Sequence, residues 1–216
     1  MTIPAANTVT QAYTRIAAAW RADRLHTSTE ASWQRLLDRL TEPLATGAHV
    51  LDVGCGCGEP MGTYLTAAGY QVTGIDGSAG LLSFARKALP QATFHHGDMR
   101  TVDPGGSFDA IVAWDSLFHV PRTDHAVMFA RFATWLQPGG RLLLSLGASG
   151  DAGFTAPLHG ETMYYSSYSP RQSMQLLHET GLLVEHREID DPGGRGHLAI
   201  IAVKSSGEIP CNSATR

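Results

Sequence analysis

The stretch Val50-Leu51-Asp52-Val53-Gly54-Cys55-Gly56-Cys57-Gly58 decides the fold. An apolar run gives way here to three alternate glycines, and a helical pattern follows them. Glycine permits a sharp turn and a close approach of the backbone to a ligand at such a strand-to-helix junction. Because glycines at a tight turn also serve packing alone, the stretch predicts a buried strand followed by a candidate binding loop.

Outward from this strand, short apolar runs alternate with helical stretches. The runs are HVLDV, QVTGI, ATFHH, FDAIVA and RLLLSL, and Pro104-Gly105-Gly106 and Pro138-Gly139-Gly140 break the chain before the last two. This alternation is typical of a parallel sheet with helices on both faces. Further on we predict a loop over 147–160, a short strand at MYYSSY, a helix between Ser169-Pro170 and Gly181, and two last strands near 182–190 and 197–203, joined by a turn over 191–194.

Two helices are predicted before the first strand. In the first, Tyr13, Ile16 and Trp20 share one face; in the second, residues 27–30 have capping-box spacing, and a stripe of leucines is expected to be buried. From Ser205 the chain is polar, and we expect a frayed end. The predicted organisation is therefore a helical lid over 1–46, a core over 47–204 with an insertion at about 147–168, and a flexible tail over 205–216.

Composition limits the classes of function. The 216 residues are 43% hydrophobic and carry a formal net charge of −4, which gives nucleic acid no general reason to bind. Three cysteines cannot form an even disulfide framework, and Cys55-x-Cys57 lacks the second pair that tetrahedral zinc requires. With no leader pattern and no membrane-length apolar run, we expect a soluble cytoplasmic protein without a metal.

The polar residues at the strand ends predict a nucleoside site. Asp76 ends the second apolar run and can accept hydrogen bonds from both ribose hydroxyls, although it also suits a helix cap. Asp98 and Met99 follow the third run and can contact the amine and the ring face of adenine. The dinucleotide spacing G-x-G-x-x-G fails at Glu59, which disfavours a nicotinamide-dependent oxidoreductase.

The motifs DVGCGCG, GIDGS, HGDM and LQPGG, in this order, resemble those of the class I S-adenosylmethionine-dependent methyltransferases over about residues 48–204. The resemblance implies a Rossmann-like sheet of seven mostly parallel strands with the last antiparallel, with S-adenosylmethionine as cofactor and S-adenosylhomocysteine as product. It places the amino-acid half of the cofactor on the glycine loop with Asp52 behind it. The cofactor-binding residues expected from these motifs and the neighbouring strand ends are Asp52, Gly54, Cys55, Gly56, Asp76, Gly77, Ser78, Asp98, Met99, Trp114 and Asp115.

The N-terminal helices resemble the lid of small-molecule members of this family. Tyr13 and Trp20 lie seven residues apart on one helical face with Arg21 beside them, so we expect an aromatic pair and a cation over the methionine end of the cofactor. Aromatic faces also attract a sulfonium cation. An ordinary amphipathic helix packed on the sheet is the alternative.

The acceptor side is harder to predict, because methyl transfer depends mainly on positioning. His119 lies just beyond the fourth strand and is the first candidate for a general base, with His197 second; either histidine can instead be structural. Tyr164, Tyr165 and Tyr168 lie in the inserted segment and can form a substrate-binding wall with His119, or core. We expect transfer to an oxygen or nitrogen of a small metabolite. A non-catalytic regulatory protein that binds the cofactor is the alternative.

Overall fold

The computed structural model describes residues 6–25, 32–190 and 196–206. The helices are α1 (Ala6–Leu25), α2 (Ser32–Thr41), α3 (Met61–Ala67), α4 (Ala79–Ala88), α5 (His125–Trp135) and α6 (Pro170–Glu179). The strands are β1 (His49–Val53), β2 (Gln71–Asp76), β3 (Thr93–His96), β4 (Phe108–Ala113), β5 (Leu136–Gly147), β6 (Phe154–Leu158), β7 (Glu161–Tyr165), β8 (Leu182–Ile189) and β9 (His197–Lys204). The predicted capping box at 27–30, the turn at 191–194 and the tail beyond 206 lie outside the described residues. None of the helices in the described ranges is long and apolar enough to cross a membrane.

Seven strands form one sheet in the order β3-β2-β1-β4-β5-β9-β8. The pairs among β1 to β5 are parallel, whereas β9 is antiparallel to both of its neighbours. The predicted mostly parallel sheet with an antiparallel last strand is therefore confirmed. Strand order reverses beside β1, and the crevice at the carboxyl ends of the strands around such a reversal is where open α/β sheets bind ligands.

Both faces of the sheet are covered by helices, as predicted. Leu36, Leu37 and Leu40 of α2 are fully buried together with α3 residues against one face. Phe129 and Phe132 of α5 are fully buried against the other. Burial of apolar area on both faces fixes the sheet as a rigid platform for its carboxyl edge.

Two details of the predicted chain path were wrong. The stretch predicted as a loop over 147–160 contains β6, which pairs antiparallel with β7 through a turn at His159 and Gly160, both with positive φ. The strand β5 also begins at Leu136, so Pro138-Gly139-Gly140 lies inside it instead of before it. The pairing with β4 shifts register opposite this segment, because glycine with positive φ at residue 139 accommodates an irregular turn within a strand.

Candidate functional site

The glycine turn after β1 is locked by backbone geometry. Gly54, Gly56 and Gly58 have φ values of 79°, 54° and 79°, in the region that glycine adopts at least cost. The Gly54 N–H donates to the Ile75 carbonyl at 2.8 Å, which ties the turn to the end of β2. A Cβ at Gly54 would lie 2.3 Å from the Cβ of Ser116, so a side chain does not fit there.

The carboxylate of Asp76, at the end of β2, accepts backbone hydrogen bonds from this turn and from Ser78. Its Oδ2 accepts the Gly56 N–H at 2.8 Å and its Oδ1 accepts the Ser78 N–H at 2.7 Å. Burial raises the pKa of Asp76, and the two backbone hydrogen bonds oppose that rise. Since a carboxylate oxygen has two acceptor positions, each oxygen retains one for a ligand hydroxyl.

An open cleft, which we call the first cleft, lies at this edge of the sheet. Its empty volume is about 840 Å³, including the part open to solvent. Most of the predicted site residues line it, from α1, the glycine turn, β2 and the segments after β3 and β4. They are Tyr13, Trp20, Asp52, Gly54, Cys55, Gly56, Asp76, Gly77, Met99, Trp114, Asp115 and His119.

Three predicted site residues do not line the first cleft, and their side chains bind other groups of the protein beside it. Arg21 pairs with Glu59 at 2.8 Å, and Asp98 pairs with Arg100 at 2.7 Å. The Ser78 hydroxyl caps α4 by accepting the Leu81 N–H at 3.2 Å. Their contacts with a cofactor stay predictions.

Arg24 lines the first cleft and was missed. Its guanidinium lies 4.1 Å from the ring centroid of Trp20 and 3.2 Å from the Asp115 carboxylate. Arg24 is four residues after Trp20 and eleven after Tyr13, which is the spacing of one helical face. Extending the aromatic face of α1 by one turn would have identified it in place of Arg21.

His119 joins helix α1 to the hairpin of β6 and β7. Its Nδ1–H donates to the Tyr164 carbonyl at 2.7 Å, which leaves Nε2 as the acceptor for the Tyr13 hydroxyl at 2.8 Å. Burial lowers the pKa of His119 to about 4 and also raises the pKa of Tyr13. The imidazole is therefore neutral near pH 7, with both nitrogens in hydrogen bonds.

The first cleft is rich in acids. Asp52 is buried, and burial together with the charge of Asp76 raises its pKa to about 7. Asp115 has a φ of 51°, a strained value for a residue with a side chain, and its N–H donates to the buried Ser145 hydroxyl at 2.7 Å. The acidic residues that line the cleft are Asp52, Glu59, Asp76 and Asp115. Arg24 is the one Lys or Arg among the described lining residues, so the cleft suits a ligand with positive charge.

A second cleft of about 810 Å³, again including open space, lies on the other side of residues 118–119. Phe118, Tyr165 and His197 line it, together with the segment after β5 and the hairpin. Of the three predicted wall tyrosines, Tyr165 alone lines this cleft among the described residues. The ring of Tyr164 is buried against α1, and that of Tyr168 lies 5.2 Å under the Arg122 guanidinium.

The two cysteines of the glycine turn, of which Cys55 was predicted to bind the cofactor, pack inside the domain. Cys55 is buried with Leu82 and Ala85 of α4, and burial raises the pKa of its thiol. Cys57 is buried with Ala17 and Leu81. Both side chains thus help to pack α4 and α1 against the glycine turn.

Comparison with known proteins agrees with this geometry. Residues 50–140 match the family model for a methyltransferase domain. The chain is 39% identical over 124 residues to the 27-O-demethylrifamycin SV methyltransferase of Amycolatopsis mediterranei, covering 53% of this chain and 45% of that protein. It is 36% identical over 107 residues to the trans-aconitate 2-methyltransferase of Methylobacterium nodulans, covering 48% and 40% respectively. The chain thus spans less than half the length of these relatives.

Solved structures share the whole fold. A magnesium protoporphyrin IX methyltransferase from Synechocystis, solved with bound S-adenosylhomocysteine, has a TM-score of 0.70 at 20% identity over 93% of this chain and all of that one. The [4+2]-cyclase SpnF has a TM-score of 0.72 at 20% identity over 96% and 99%. The sheet order and the glycine turn thus have the Rossmann-like fold of class I S-adenosylmethionine-dependent methyltransferases, and residues 50–140 are similar to the methyltransferase domain of the matched family.

Proposed function

We propose that the protein transfers the methyl group of S-adenosylmethionine to an oxygen or nitrogen of a small metabolite and releases S-adenosylhomocysteine. The observation that carries the proposal is the glycine turn whose Gly56 N–H is held by Asp76 at the rim of the first cleft. Partial relatives with methyltransferase names support the reaction class. The small-molecule acceptor and a cytoplasmic location, expected from composition, belong to the same proposal.

The residues of the first cleft fit this cofactor. A Cβ at Gly56 would meet nothing nearer than Leu81 at 3.8 Å, so the glycine keeps the cleft open above the turn. Asp76 would bind the ribose hydroxyls, and Met99 would lie against adenine. Asp98 would have to share its carboxylate with Arg100, so we expect a smaller contribution from it. When bound, the cofactor supplies a methyl group on a positively charged sulfur.

The chain's own residues would then orient and shield the reacting groups. Asp52 and Asp115 would attract the positive charges at the methionine end, with Trp20 and Tyr13 over them as part of the lid. The Tyr13–His119 hydrogen bond would close the lid over that end and exclude water. For His119 to act as a base, Tyr13 would have to release Nε2 first.

Calorimetry with the two adenosyl compounds and with NADH tests the proposal. We expect S-adenosylmethionine and S-adenosylhomocysteine to bind and NADH not to bind. Asp76→Ala should weaken cofactor binding by about 1.5 to 3 kcal/mol, the scale of hydrogen bonds to a charged group. Asp103→Ala is the matched control, because that exposed aspartate lies in the loop before β4, outside the cleft lining. Full wild-type affinity in Asp76→Ala would refute the assignment of this site.

Turnover separates the enzyme from a regulatory protein that merely binds the cofactor. Incubation with tritiated S-adenosylmethionine and pooled small metabolites should yield a labelled small product. Binding without any labelled product, across pools that include phenols, amines and carboxylic acids, would favour the regulatory alternative.

A further inference from the structure

The walls of the second cleft are aromatic. The rings of Phe154 and Tyr165 are stacked, with centroids 5.2 Å apart and planes 13° apart. Phe118 lies 5.7 Å from Tyr165 and 5.6 Å from the His197 ring. Rings in this arrangement favour a flat, largely apolar occupant that can lie against them.

The polar groups of the second cleft limit the charge of that occupant. Among the described residues that line it, none is Lys or Arg, and the acid is Asp151. Ser149, Ser166 and Ser167 supply hydroxyl groups at its edge. A carboxylate or phosphate on the acceptor would therefore lose water next to Asp151 and would find no Lys or Arg to pair with among these residues. Burying an unpaired charge in this way costs free energy.

One side chain connects the two clefts. Asp115 lines the first cleft, where its Oδ2 accepts from Arg24, and its Oδ1 lies 3.4 Å from Nδ1 of His197, which lines the second cleft. The backbone of Asp115 is held in its strained conformation by Ser145, whose hydroxyl also donates to Oδ1 at 3.3 Å. A carboxylate held in this way fixes which nitrogen of its histidine partner carries the proton.

We propose that the second cleft binds a flat hydroxylated aromatic acceptor without anionic groups, and that His197, oriented by Asp115, takes the proton from its hydroxyl. This inference rests on the proposed methyl transfer and names the acceptor class and the base for it. Nδ1 of His197 lies 3.4 Å from the Asp115 carboxylate, so the proposal places the ring proton on Nδ1 and assigns the acceptor's proton to Nε2. His119 differs, because both of its nitrogens are already in hydrogen bonds.

The step balances without another reactant. The acceptor oxygen forms a bond to the methyl carbon while the carbon–sulfur bond breaks, and that bonding pair stays on sulfur, which becomes neutral. The hydroxyl proton goes to Nε2 of His197, and Asp115 stabilises the resulting imidazolium. The imidazolium then returns its proton to solvent.

Several charged or titratable groups face His197 besides Asp115. They are Asp190 after β8, with Oδ1 4.0 Å from Nδ1 of His197, Asp151 after β5 and Tyr165 on β7.

A chromophoric phenol tests the proposal without turnover. Protein saturated with S-adenosylhomocysteine is titrated with 4-nitrophenol, whose visible absorbance reports its ionisation, and with 4-nitrobenzoate, which has a carboxylate in place of the hydroxyl. We expect 4-nitrophenol to bind and 4-nitrobenzoate to bind at least about tenfold more weakly, as for an unpaired buried charge. Equal binding of the two probes, or no binding of 4-nitrophenol, would overturn the acceptor class.

Variants then test the roles of the wall and the base. Ala156→Trp should fill the second cleft and abolish binding of 4-nitrophenol while S-adenosylhomocysteine still binds. In the wild type, bound 4-nitrophenol should ionise about one pH unit lower than in His197→Gln, the scale of a neighbouring proton acceptor or cation. The matched control is His178→Gln on the exposed side of α6, which should leave ionisation unchanged. Identical ionisation in the wild type and in His197→Gln would refute the base.

Nitrogen-15 NMR of the histidine rings gives an answer that needs no substitution of His197. The wild-type ring should carry its proton on Nδ1, and Asp115→Asn should shift the proton toward Nε2. Asparagine tolerates the positive φ at this position, so we expect the variant to fold. A wild-type ring protonated on Nε2 would overturn the proposal. Failure of S-adenosylhomocysteine to bind would refute the proposed function instead, whereas loss of the phenol result alone would leave that function standing.

Discussion

The two clefts are built in different ways. The first is made largely of backbone at the end of β1 and β2, with Gly54 and Gly56 forming the turn and Asp76 bracing it. The second is made of side chains from four separate segments: Phe118 after β4, the stretch after β5, the hairpin of β6 and β7, and His197 at the start of β9. The first can serve any protein that uses the same cofactor, whereas the second holds the features that would distinguish one acceptor from another.

Residues between the clefts couple them. Tyr13 of α1 bonds to His119, which in turn bonds to the Tyr164 carbonyl. Arg24 of α1 bonds to Asp115, which in turn lies 3.4 Å from His197. Helix α1 also pairs directly with the hairpin through Arg15 and Glu161 at 2.6 Å and through Asp23 and His159 at 2.7 Å.

The largest effect is expected at the glycine turn. In Gly54→Ala, the positive φ should cost about 1 to 2 kcal/mol of folding free energy. The steric overlap of the new Cβ with Ser116 should cost about 1 to 3 kcal/mol more. We expect the free energy of unfolding to fall by about 2 to 5 kcal/mol in denaturant titration, and cofactor binding to be lost. Gly47→Ala is the matched control, because Gly47 has the same φ of 79° and nothing within 4 Å of a Cβ. Equal losses in the two variants would contradict the steric argument.

The next effect depends on pH and concerns the acids of the first cleft. Because the pKa of Asp52 is raised to about 7 in the folded state, the folded protein holds a proton between about pH 4 and 7 that the unfolded chain releases. This contribution to stability is full at low pH and is lost as the pH rises through 7. Asn cannot ionise, so Asp52→Asn lacks this loss. When the pH is raised from 4.5 to 7.5, the free energy of unfolding of the wild type should fall by about 2 to 4 kcal/mol more than that of the variant.

Denaturant titrations at the two pH values measure this difference. Asp103→Asn, at an exposed aspartate, is the control and should follow the wild type at both. A constant difference between Asp52→Asn and the wild type across this range would show that Asp52 ionises normally.

A smaller effect is expected at the connection between the clefts. Tyr13→Phe leaves the buried Nε2 of His119 without its donor, which should cost about 1 to 3 kcal/mol of unfolding free energy. Hydrogen exchange in α1 should also become faster, because the helix loses one of its polar contacts with the rest of the domain. Tyr70→Phe is the control, since the Tyr70 hydroxyl lies 3.4 Å from its acceptor, the Thr41 carbonyl, and contributes little. Unchanged exchange in α1 would reduce the Tyr13 contact to simple packing.

The smallest effect is expected at Asp98. Its carboxylate already pairs with Arg100, so Asp98→Asn should weaken S-adenosylhomocysteine binding by less than about 1 kcal/mol. Calorimetry on Asp98→Asn and Asp76→Ala under the same conditions compares the two losses of binding free energy. A loss at Asp98 equal to that at Asp76 would mean that Arg100 releases the carboxylate to adenine when the cofactor binds.

The sequence by itself determined the sheet and the first cleft, because these depend on local signals. A run of apolar residues, a turn that only glycine can adopt, and an acid at the next strand end lie close together along the chain, so Gly54 and Asp76 could be found without knowing the fold. Arg24 could have been found in the same way, from its spacing to Trp20. Asp52 was identified as a position, but its raised pKa depends on burial beside Asp76.

Only the tertiary structure decided the second cleft and the connections to it. The hairpin strand β6 has a weak pattern, since its alternation is interrupted by Pro157, and its pairing with β7 depends on packing against α1 and Phe118. Asp115 and His197 are 82 positions apart in the numbering and meet because β4, β5 and β9 lie side by side. Likewise, Asp98 and Arg21 had suitable positions in the chain, but nearby Arg100 and Glu59 pair with them in the fold. Long-range pairing of charges and rings is set by which strands become neighbours, and no local pattern encodes it.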